Sequence, residues 1–420
     1  MFSATRSNLL YALLLASLSL SGQAPKQDQA IYKEVLPSPR EVQELEALEQ
    51  AKALQSGEAP TPVDKTAKRE LSLDFSKLDR PHAPGEFKSA WHFPPRRQWW
   101  TNTCWCYSTT SFLESEIKRV HGRELKLSEM FTVYWDYVEK VQEFIRTKGV
   151  SVVDEGAESG DVLRCWKHHG IVPEADFPEL RTGEKLLNHG PLIDELHAYL
   201  DYVKKAKLWN EAQVVASVRL ILDKHLGAPP AKVQWEGHEL TPLQFQTQVV
   251  GLDLDAYVEF MSFQYAPFWT QAEYKVPDNW AHTKDYWNLP LADWYGALKG
   301  AVAAGYSVAI GGDVSEPGYE GRENIAIVPS FDIPAAFIDQ SAREFRFSNH
   351  TSEDDHGLHV LGVQRRGEHD WFLIKDSARS SHKGATPGYY FYRDDYMRLK
   401  MLTFMVHKDA VKEVVAKFKP

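Results

Sequence analysis

The fold is decided by residues 96–108, which read RRQWWTNTCWCYS. After Cys104 the apolar residues recur at the spacing of one helix face: Trp105, Phe112, Leu113, Ile117 and Val120. Thr101 and Thr103 precede them with hydroxyls of the kind that cap helices, so the pattern predicts a helix that begins at Cys104. The positive end of the helix dipole favours a thiolate at this position. Cys104 is therefore a candidate nucleophile, although a small buried cysteine is the common alternative.

A candidate base and a carboxylate lie far downstream. Residues 355–363 read DHGLHVLGV and predict a polar loop that enters a strand at His356. A turn and a second strand follow, and Asp376 stands at the end of that strand. Because the two strands of a hairpin lie side by side, His356 and Asp376 can meet and act on Cys104 as base and orienting group. The loop before the helix can also fold the Gln98 amide toward the sulfur, where it would stabilise an oxyanion.

The order and spacing of these residues resemble those of papain-like cysteine peptidases, in particular the bleomycin hydrolase and aminopeptidase C branch. In that family a Gln, five further residues and then Cys-Trp open the central helix, as Gln98 and Cys104-Trp105 do. The family also has a Gly six residues after its histidine, as Gly362 follows His356. Further matches lie between Pro94 and Val411: Leu127-Ser128, Tyr134-Trp135-Asp136, Glu139-Lys140, Gly156 with Gly170, residues 226–230 with Trp235, Thr241-Pro242 with Phe245, and Gly312-Asp313-Val314.

The resemblance implies an α+β fold of the papain-like two-lobed type, with a helical lobe, a β-sheet lobe and an inserted helical subdomain. The apolar pattern agrees, because helical spacing prevails before residue 305 and strand-like alternation after it. We therefore expect a signal peptide (1–24), an N-terminal extension or linker (25–80), a helical lobe with the nucleophile (81–189), a mostly helical insertion (190–305), a β lobe with the catalytic histidine (306–411) and a short tail (412–420).

The resemblance also implies roles for individual residues. The catalytic residues would be Cys104 as nucleophile, His356 as base, Asp376 as orienting carboxylate and Gln98 as oxyanion stabiliser. The backbone at Gly156 and Ala157 would hold the main chain of a peptide or protein substrate. No cofactor and no metal are implied. Members of the family form oligomers, and the oligomeric state of this chain is left open.

Several residues depart from the family pattern. Asn102 replaces a Gly, although Asn tolerates a positive φ better than most residues. Asp376 replaces an Asn, Ser377 begins a stretch without the Trp that shields that Asn from water, and Ala157 replaces a second Gly. These changes keep open a non-catalytic binding protein on the same fold. Among enzymes, a transglutaminase-like acyl transferase uses the same residue types, but the spacing from Gln98 favours the peptidase.

The end of the chain bears on how a substrate would be cut. In the bleomycin hydrolase branch a C-terminal arm lies in the cleft and implies aminopeptidase action. Residues 406–411 match the approach to that arm, but the sequence stops at Pro420. We therefore expect an open cleft and endopeptidase activity. The alternative is an aminopeptidase whose cleft is occupied by the short tail or by the segment before Pro62.

Charge and the N-terminal pattern bear on partners and location. The formal net charge is −10, which argues against a nucleic-acid partner. Residues 1–24 contain Arg6, an apolar run over residues 9–20 and small residues before Ala24, which is typical of a secretory signal peptide. The run is too short for a membrane span. We expect an exported protein, secreted or periplasmic.

The other cysteines and one histidine pair suggest little chemistry. Cys106 and Cys165 could form a disulfide or remain inert buried thiols, and we favour the thiols. His168 and His169 are adjacent near a helix end, so their rings are not expected to share a metal.

Residues 25–80 predict an extension outside the core. Ser38-Pro39 is expected to cap a helix that runs to about Leu54, and a Gly- and Pro-rich linker follows. The segment could be a propeptide that covers the site, but a solvated tail is favoured.

Overall fold

The computed structural model describes residues 28–181, 186–316 and 318–418. The predicted signal peptide, residues 1–24, lies outside these ranges, as do the last two residues of the predicted tail. Across the described ranges, helices and strands combine in an α+β fold, as the sequence predicts. No helix in these ranges has both the length and the hydropathy that a bilayer-spanning segment needs.

The elements are as follows. The helices of the described ranges are α1 (Pro39–Ser56), α2 (Cys104–His121), α3 (Glu129–Arg146), α4 (Ser159–His169), α5 (Gly190–Ala206), α6 (Glu211–Leu226), α7 (Pro242–Phe245), α8 (Leu291–Ala303), α9 (Gln340–Ser348), α10 (Asp394–Lys400) and α11 (Lys412–Val415). The strands are β1 (Ala30–Val35), β2 (Lys68–Leu73), β3 (Val233–Trp235), β4 (His238–Leu240), β5 (Tyr257–Met261), β6 (Thr270–Ala272), β7 (Tyr286–Asn288), β8 (Val308–Gly312), β9 (Tyr319–Glu320), β10 (Ile325–Ala326), β11 (His356–Arg366), β12 (His369–Lys375), β13 (Tyr389–Arg393) and β14 (Met401–His407).

A ten-stranded sheet forms one half of the molecule. Its strand order is β6-β7-β5-β14-β8-β11-β12-β13-β10-β9. The predicted hairpin is confirmed, because β11 and β12 pair antiparallel in the middle of this sheet. His356 begins β11, where it pairs with Gly312 of β8, and Asp376 follows the last residue of β12. The hairpin thus carries the histidine and the carboxylate to the same end of the sheet.

Helix α2 is the central helix, and its predicted start at Cys104 is confirmed. The expected side-chain cap is wrong, because Thr103 stands at the N-cap position without capping the helix. The Thr103 hydroxyl instead lies 2.7 Å from the Thr101 hydroxyl, which donates to the Gln98 carbonyl at 2.8 Å. The two hydroxyls therefore hydrogen-bond within the loop before the helix instead of capping the helix.

The central helix packs closely against the sheet at β11. A side chain at Gly357 would place its Cβ 3.0 Å from the Trp105 Cα and 2.8 Å from the Ser108 hydroxyl oxygen. Only glycine permits this approach, so the residue after His356 brings the strand against the first turn of α2. Farther along, the Ser111 hydroxyl lies 2.9 Å from His359 Nδ1, and His359 is fully buried.

The helical half forms around α2, α3, α4, α5 and α6. Ser128 caps α3 as predicted, since its hydroxyl accepts from the Phe131 N–H at 3.1 Å. Residues 190–305, expected to be mostly helical, begin with α5 and α6 but also supply β5, β6 and β7 to the large sheet. These strands have three to five residues each, too few for a hydrophobic period to separate strand from helix.

The N-terminal extension folds onto the rest of the chain. Helix α1 is confirmed, with Ser38 as its cap, and strands β1 and β2 pair beside it. The expectation that the whole segment lies outside the core is wrong. Leu73 and Phe75 are 3% and 6% exposed and belong to an apolar cluster with Phe87 and Trp371. Two apolar side chains in a highly charged segment gave too weak a sequence signal for burial.

Candidate active site

Cys104 lines a cleft of about 730 Å³ between the helical half and the sheet. It is 9% exposed and begins α2. The cleft walls also include Gln98, Asn102, Gly156 and His356. The structure thus brings the candidate nucleophile and the candidate base into one cavity, although they are far apart in the sequence.

His356 lies between Cys104 and Asp376. Its Nε2 atom is 2.8 Å from Asp376 Oδ1, while the ring also interacts with Cys104. Burial alone would lower the pKa of His356, but the charges of Asp376 and Cys104 and their hydrogen bonds raise it well above its usual value. The imidazolium form is therefore stabilised by this arrangement.

The Asp376 carboxylate is buried and fully engaged. Its Oδ1 also accepts the Ala378 N–H at 2.6 Å, and its Oδ2 accepts the Tyr319 hydroxyl at 2.9 Å. Burial alone would raise the pKa of Asp376, but the charge of His356 and these hydrogen bonds lower it. Asp376 is thus held as a carboxylate oriented at the ring.

Sequence reasoning missed Tyr319. It stands in β9, at one edge of the sheet, and its ring stacks on Tyr390 with centroids 4.5 Å apart. It donates to Asp376, and the stretch that follows Asp376 lacks the shielding Trp that the resemblance implies. No signal in the sequence could have identified it, because the contact spans 57 positions.

Gln98 is fixed by both halves of the molecule. Its Nε2 donates to the Thr101 carbonyl at 2.6 Å, and its Oε1 accepts the Ser377 hydroxyl at 2.7 Å. The Gln98 backbone N–H donates to the Ser377 carbonyl at 3.0 Å. Because the amide has two N–H donors and one is engaged by Thr101, the second has no partner among the described residues.

Asn102 does not adopt a positive φ, although Asn tolerates one better than most residues. In this loop the residue with a positive φ is Trp99, at 56°. The Asn102 side chain instead donates to Glu155 Oε2 at 2.9 Å. The Glu155 carbonyl also accepts the Trp105 indole N–H at 2.9 Å. Asn102 and Trp105 thus both tie the candidate nucleophile's segment to Glu155 in the cleft wall.

The two predicted substrate-binding residues differ in position. Gly156 lines the cleft, and its carbonyl accepts the Lys140 ammonium at 2.6 Å. Ala157 is 5% exposed and packs in the apolar core of the helical half. Asp278, which sequence reasoning also missed, covers Gly156: a Cβ at that glycine would lie 2.3 Å from both carboxylate oxygens.

All three cysteines are free and buried. Burial raises the pKa of the Cys106 and Cys165 thiols well above the usual value. Both therefore match the inert-thiol alternative. The pKa of His359 is lowered well below its usual value by burial and by the charge of Lys375, so this ring stays neutral.

The expectation that the rings of the adjacent His168 and His169 cannot approach one metal ion is wrong. His168 Nδ1 and His169 Nε2 lie 2.9 and 3.0 Å from the same atom, Glu139 Oε1. The three groups are close enough to hold a metal ion. Adjacent side chains diverge on an ideal helix, but these two stand at the C-terminal end of α4, where a carboxylate from α3 draws them together.

The ends of the chain do not fill the cleft over the described residues. Phe418 packs on Trp287 of the sheet, with ring centroids 4.5 Å apart. Helix α1 reaches only the cleft rim, where Glu41 pairs with Lys383 at 3.0 Å and Glu44 pairs with Arg97.

Comparison with known proteins identifies the fold. Neither a protein-family model nor a curated protein sequence matches the chain. Among solved structures, the chain is similar to PepW from Lactobacillus rhamnosis HN001 (DR20), with a TM-score of 0.63 and 16% sequence identity. The match covers 90% of this chain and 95% of PepW. The similarity shows that both chains share one overall fold.

Proposed function

We propose that the protein is a cysteine peptidase in which Cys104, His356 and Asp376 act together. One observation carries the proposal: His356 interacts with Cys104 on one side and with the buried Asp376 carboxylate on the other. A nucleophile, a base and an orienting carboxylate in this order are what acyl transfer through a thiol requires. The fold shared with PepW supports the proposal.

The proposed reaction proceeds in two stages. The Cys104 thiolate attacks the peptide carbonyl carbon, and His356 then gives its proton to the leaving amine as the carbon–nitrogen bond breaks. In the second stage His356 removes a proton from water, which attacks the resulting thioester. The carboxylic acid product leaves, and Cys104 is regenerated. Asp376 keeps the ring oriented and stabilises its positive charge throughout.

Gln98 is the proposed donor to the negatively charged oxygen of both tetrahedral intermediates. Its amide is held from both sides by Thr101 and Ser377, so the free N–H needs no reorganisation during the reaction. The backbone N–H at Cys104, at the start of α2, would be the second donor.

The experiment compares two thiols on one helix. Wild-type protein, Cys104→Ser and the control Cys106→Ser are incubated with an epoxide thiol inhibitor, and the labelled residue is identified by mass spectrometry. The same proteins are assayed on a mixture of short fluorogenic peptides. We expect labelling and hydrolysis in the wild type and in Cys106→Ser, and neither in Cys104→Ser.

The result also separates the enzyme from a non-catalytic binding protein on the same fold. A native wild-type protein that neither reacts at Cys104 nor hydrolyses any peptide would refute the peptidase. Labelling of Cys106 at the same rate as Cys104 would contradict the assignment of the nucleophile.

We further propose that the protein cuts within chains. The proposal is supported by the position of Phe418, which packs on the sheet, and of α1, which stops at the cleft rim. The described ends of the chain then leave the cleft at Cys104 open, which an extended peptide that is cut internally requires. The test compares one peptide with its N-acetylated form. Cleavage of both supports the endopeptidase, and cleavage of the free-amine form alone would favour an aminopeptidase.

Export is part of the same proposal. It is supported by the signal-peptide pattern of residues 1–24, and the natural substrates would then be peptides or proteins in a secreted or periplasmic location. N-terminal sequencing of the protein purified from its host tests this: a mature chain that begins near residue 25 supports export, and an intact N-terminus in the cell interior contradicts it.

A further inference from the structure

A second cavity, of about 560 Å³, lies beside the cleft. The segment 154–161 separates the two spaces: Asp154 and Gly156 line the cleft, whereas Glu158 and Asp161 line the second cavity. We call this cavity the acidic recess and define it by Glu158, Asp161, Glu259, Asp285, Tyr286 and Trp287.

The basic side chains around the recess are already paired. Arg164 forms an ion pair with Asp161, and Lys167 lies 2.6 Å from Asp255. Lys408 donates to the Asp255 carbonyl at 2.7 Å. The other carboxyl groups of the recess have no cationic partner in the described part of the chain.

Two buried polar atoms of the recess are unpartnered. Glu158 is 6% exposed and its carboxyl group shares a hydrogen bond with Asp354, but its Oε1 atom has no hydrogen-bond partner in the described residues. The Tyr286 hydroxyl is fully buried and also has no hydrogen-bond partner in the described residues. Since burying such groups without a partner is costly, most of them in folded proteins are satisfied. Both groups line the recess and are therefore available to a ligand.

The carboxyl groups near the recess repel one another. Burial and the neighbouring Asp354 raise the pKa of Glu158 well above its usual value, and burial with Asp161 raises the pKa of Glu259 to about 8. Burial also raises the pKa of Asp354 to about 7 and that of Asp278 to about 6. A positive charge placed among these groups would favour their ionised forms and lower these raised pKa values, so binding of a cation and ionisation of the carboxyl groups would reinforce each other.

Asp278 connects the recess to the cleft. Its carboxylate touches Gly156, the residue expected to lie along a substrate main chain, and its charge acts on both Glu158 and Asp354. In the described residues the Asp278 carboxylate makes no hydrogen bond or ion pair. It therefore stands unpaired between the cleft and the recess.

We propose that Asp278 and the acidic recess bind a positively charged nitrogen of the substrate. The nitrogen is a side-chain guanidinium or ammonium, or a free α-amine, and the buried Tyr286 hydroxyl adds an oxygen that can accept a hydrogen bond from it. The inference rests on the proposed peptidase function, because it assigns the substrate class of the same cleft.

The experiment uses three peptides with one sequence. The first is N-acetylated and contains one arginine, the second replaces the arginine by the uncharged isostere citrulline, and the third is the citrulline peptide with a free α-amine. We expect kcat/KM to favour arginine over citrulline by about 10- to 100-fold, as for hydrogen bonds to a charged group. Preference for the third peptide instead identifies the α-amine as the bound cation.

Three variants locate the effect. Glu158→Gln and Asp278→Asn should each lower the preference for the cationic peptide by about tenfold, which is what loss of one charged partner would produce. Asp201→Asn makes the same charge change on the exposed side of α5 and should keep the full preference. Equal rates for all three peptides in the wild type would overturn the inference, as would a preference unchanged in both recess variants.

Binding to Cys104→Ala separates this inference from the peptidase proposal. Calorimetry on that variant measures affinity without turnover. If Cys104→Ala binds the cationic peptide more tightly than the neutral one, and the wild type cleaves neither, the recess is supported and the peptidase is refuted. If the wild type cleaves all peptides equally and binding shows no charge preference, the peptidase is supported and the recess is refuted.

Discussion

Two histidine–carboxylate groups in this protein look alike in their distances and differ in their surroundings. His356 lies 2.8 Å from Asp376, and His168 and His169 lie 2.9 and 3.0 Å from Glu139. The first group is buried beside a thiol, whereas in the second only Glu139 is buried and the two rings reach the surface. The hydrogen bond alone therefore does not make a reactive site.

The carboxylates of the two groups, Asp376 and Glu139, also differ in their hydrogen-bond partners. Asp376 is braced by Tyr319 and a backbone N–H, so its charge acts chiefly on one ring. Glu139 is shared by two rings and by Arg164, whose Nε donates to it at 2.7 Å. The candidate active site is thus distinguished by a carboxylate that interacts with only one imidazole, where that imidazole is buried next to Cys104.

The largest expected effect comes from deleting the two kinds of histidine. His356→Ala should lower kcat/KM by roughly 10³-fold or more, because it removes the base that also stabilises the thiolate. His169→Ala should leave kcat/KM within about twofold, since in the described residues that ring contacts Glu139 and Trp135 and does not line the cleft. Peptide hydrolysis and epoxide labelling measure both. A comparable loss in the two variants would break the comparison.

Replacing Asp376 by Asn tests the charge on the buried side. The Asp376 charge raises the pKa of His356, so activity that needs the imidazolium persists to higher pH. Asp376→Asn should move the alkaline limb of kcat/KM to lower pH and reduce the maximum by about 10- to 100-fold. An unmoved limb would mean that Asp376 does not control the protonation of His356.

The same substitution has a consequence for stability. Because the pKa of His356 is raised in the folded state, its stabilising contribution is complete below the ordinary histidine value and is lost as the pH rises through the raised value. Asp376→Asn should lose that contribution, which urea unfolding as a function of pH would reveal.

Tyr319 offers a smaller and sharper change. Tyr319→Phe removes one donor to Asp376 and leaves the carboxylate in place, so we expect kcat/KM to fall by about two- to tenfold. The alkaline limb should not move to lower pH as it does in Asp376→Asn, because the Asp376 charge that raises the pKa of His356 remains. Tyr295→Phe is the matched control, because it removes a 2.8 Å bond to Asp370, which lies at the opposite end of β12 from Asp376. Equal effects of the two variants would contradict a positioning role for Tyr319.

The smallest effect on activity is expected when Glu139, which binds His168 and His169, is replaced. Burial alone would raise the pKa of Glu139, but His169 and Arg164 lower it to about 2. Its stabilising contribution is therefore present above about pH 4.5 and is lost as the pH falls toward 2. Glu139→Gln should lower the free energy of unfolding by about 1–2 kcal/mol at pH 7, less at pH 3, and leave kcat/KM unchanged. Urea unfolding at both pH values checks this, and a large loss of activity would contradict it.

Part of the fold and of the candidate site was predictable because its signals are local. The start of α2 at Cys104, the Ser128 cap and the β11–β12 hairpin each follow from a few neighbouring residues. Once the hairpin is predicted, the approach of His356 to Asp376 follows from its geometry.

Other features were predicted wrongly or missed for an equally physical reason. Thr103 has the right residue type for a cap, but the Thr101 hydroxyl takes its side chain. Leu73 is buried although its neighbours are charged, because an apolar surface distant in sequence covers it. In each case a partner outside the local window decided the outcome.

The sequence by itself determined the order of the candidate nucleophile, base and carboxylate, and the elements that carry each of them. Only the tertiary structure decided that Tyr319 braces Asp376, that Asp278 covers Gly156, and that a carboxylate draws the adjacent histidines together. The physical reason is that hydrophobic periods, caps and turns act over a few residues, whereas these contacts join segments whose approach depends on packing of the whole chain.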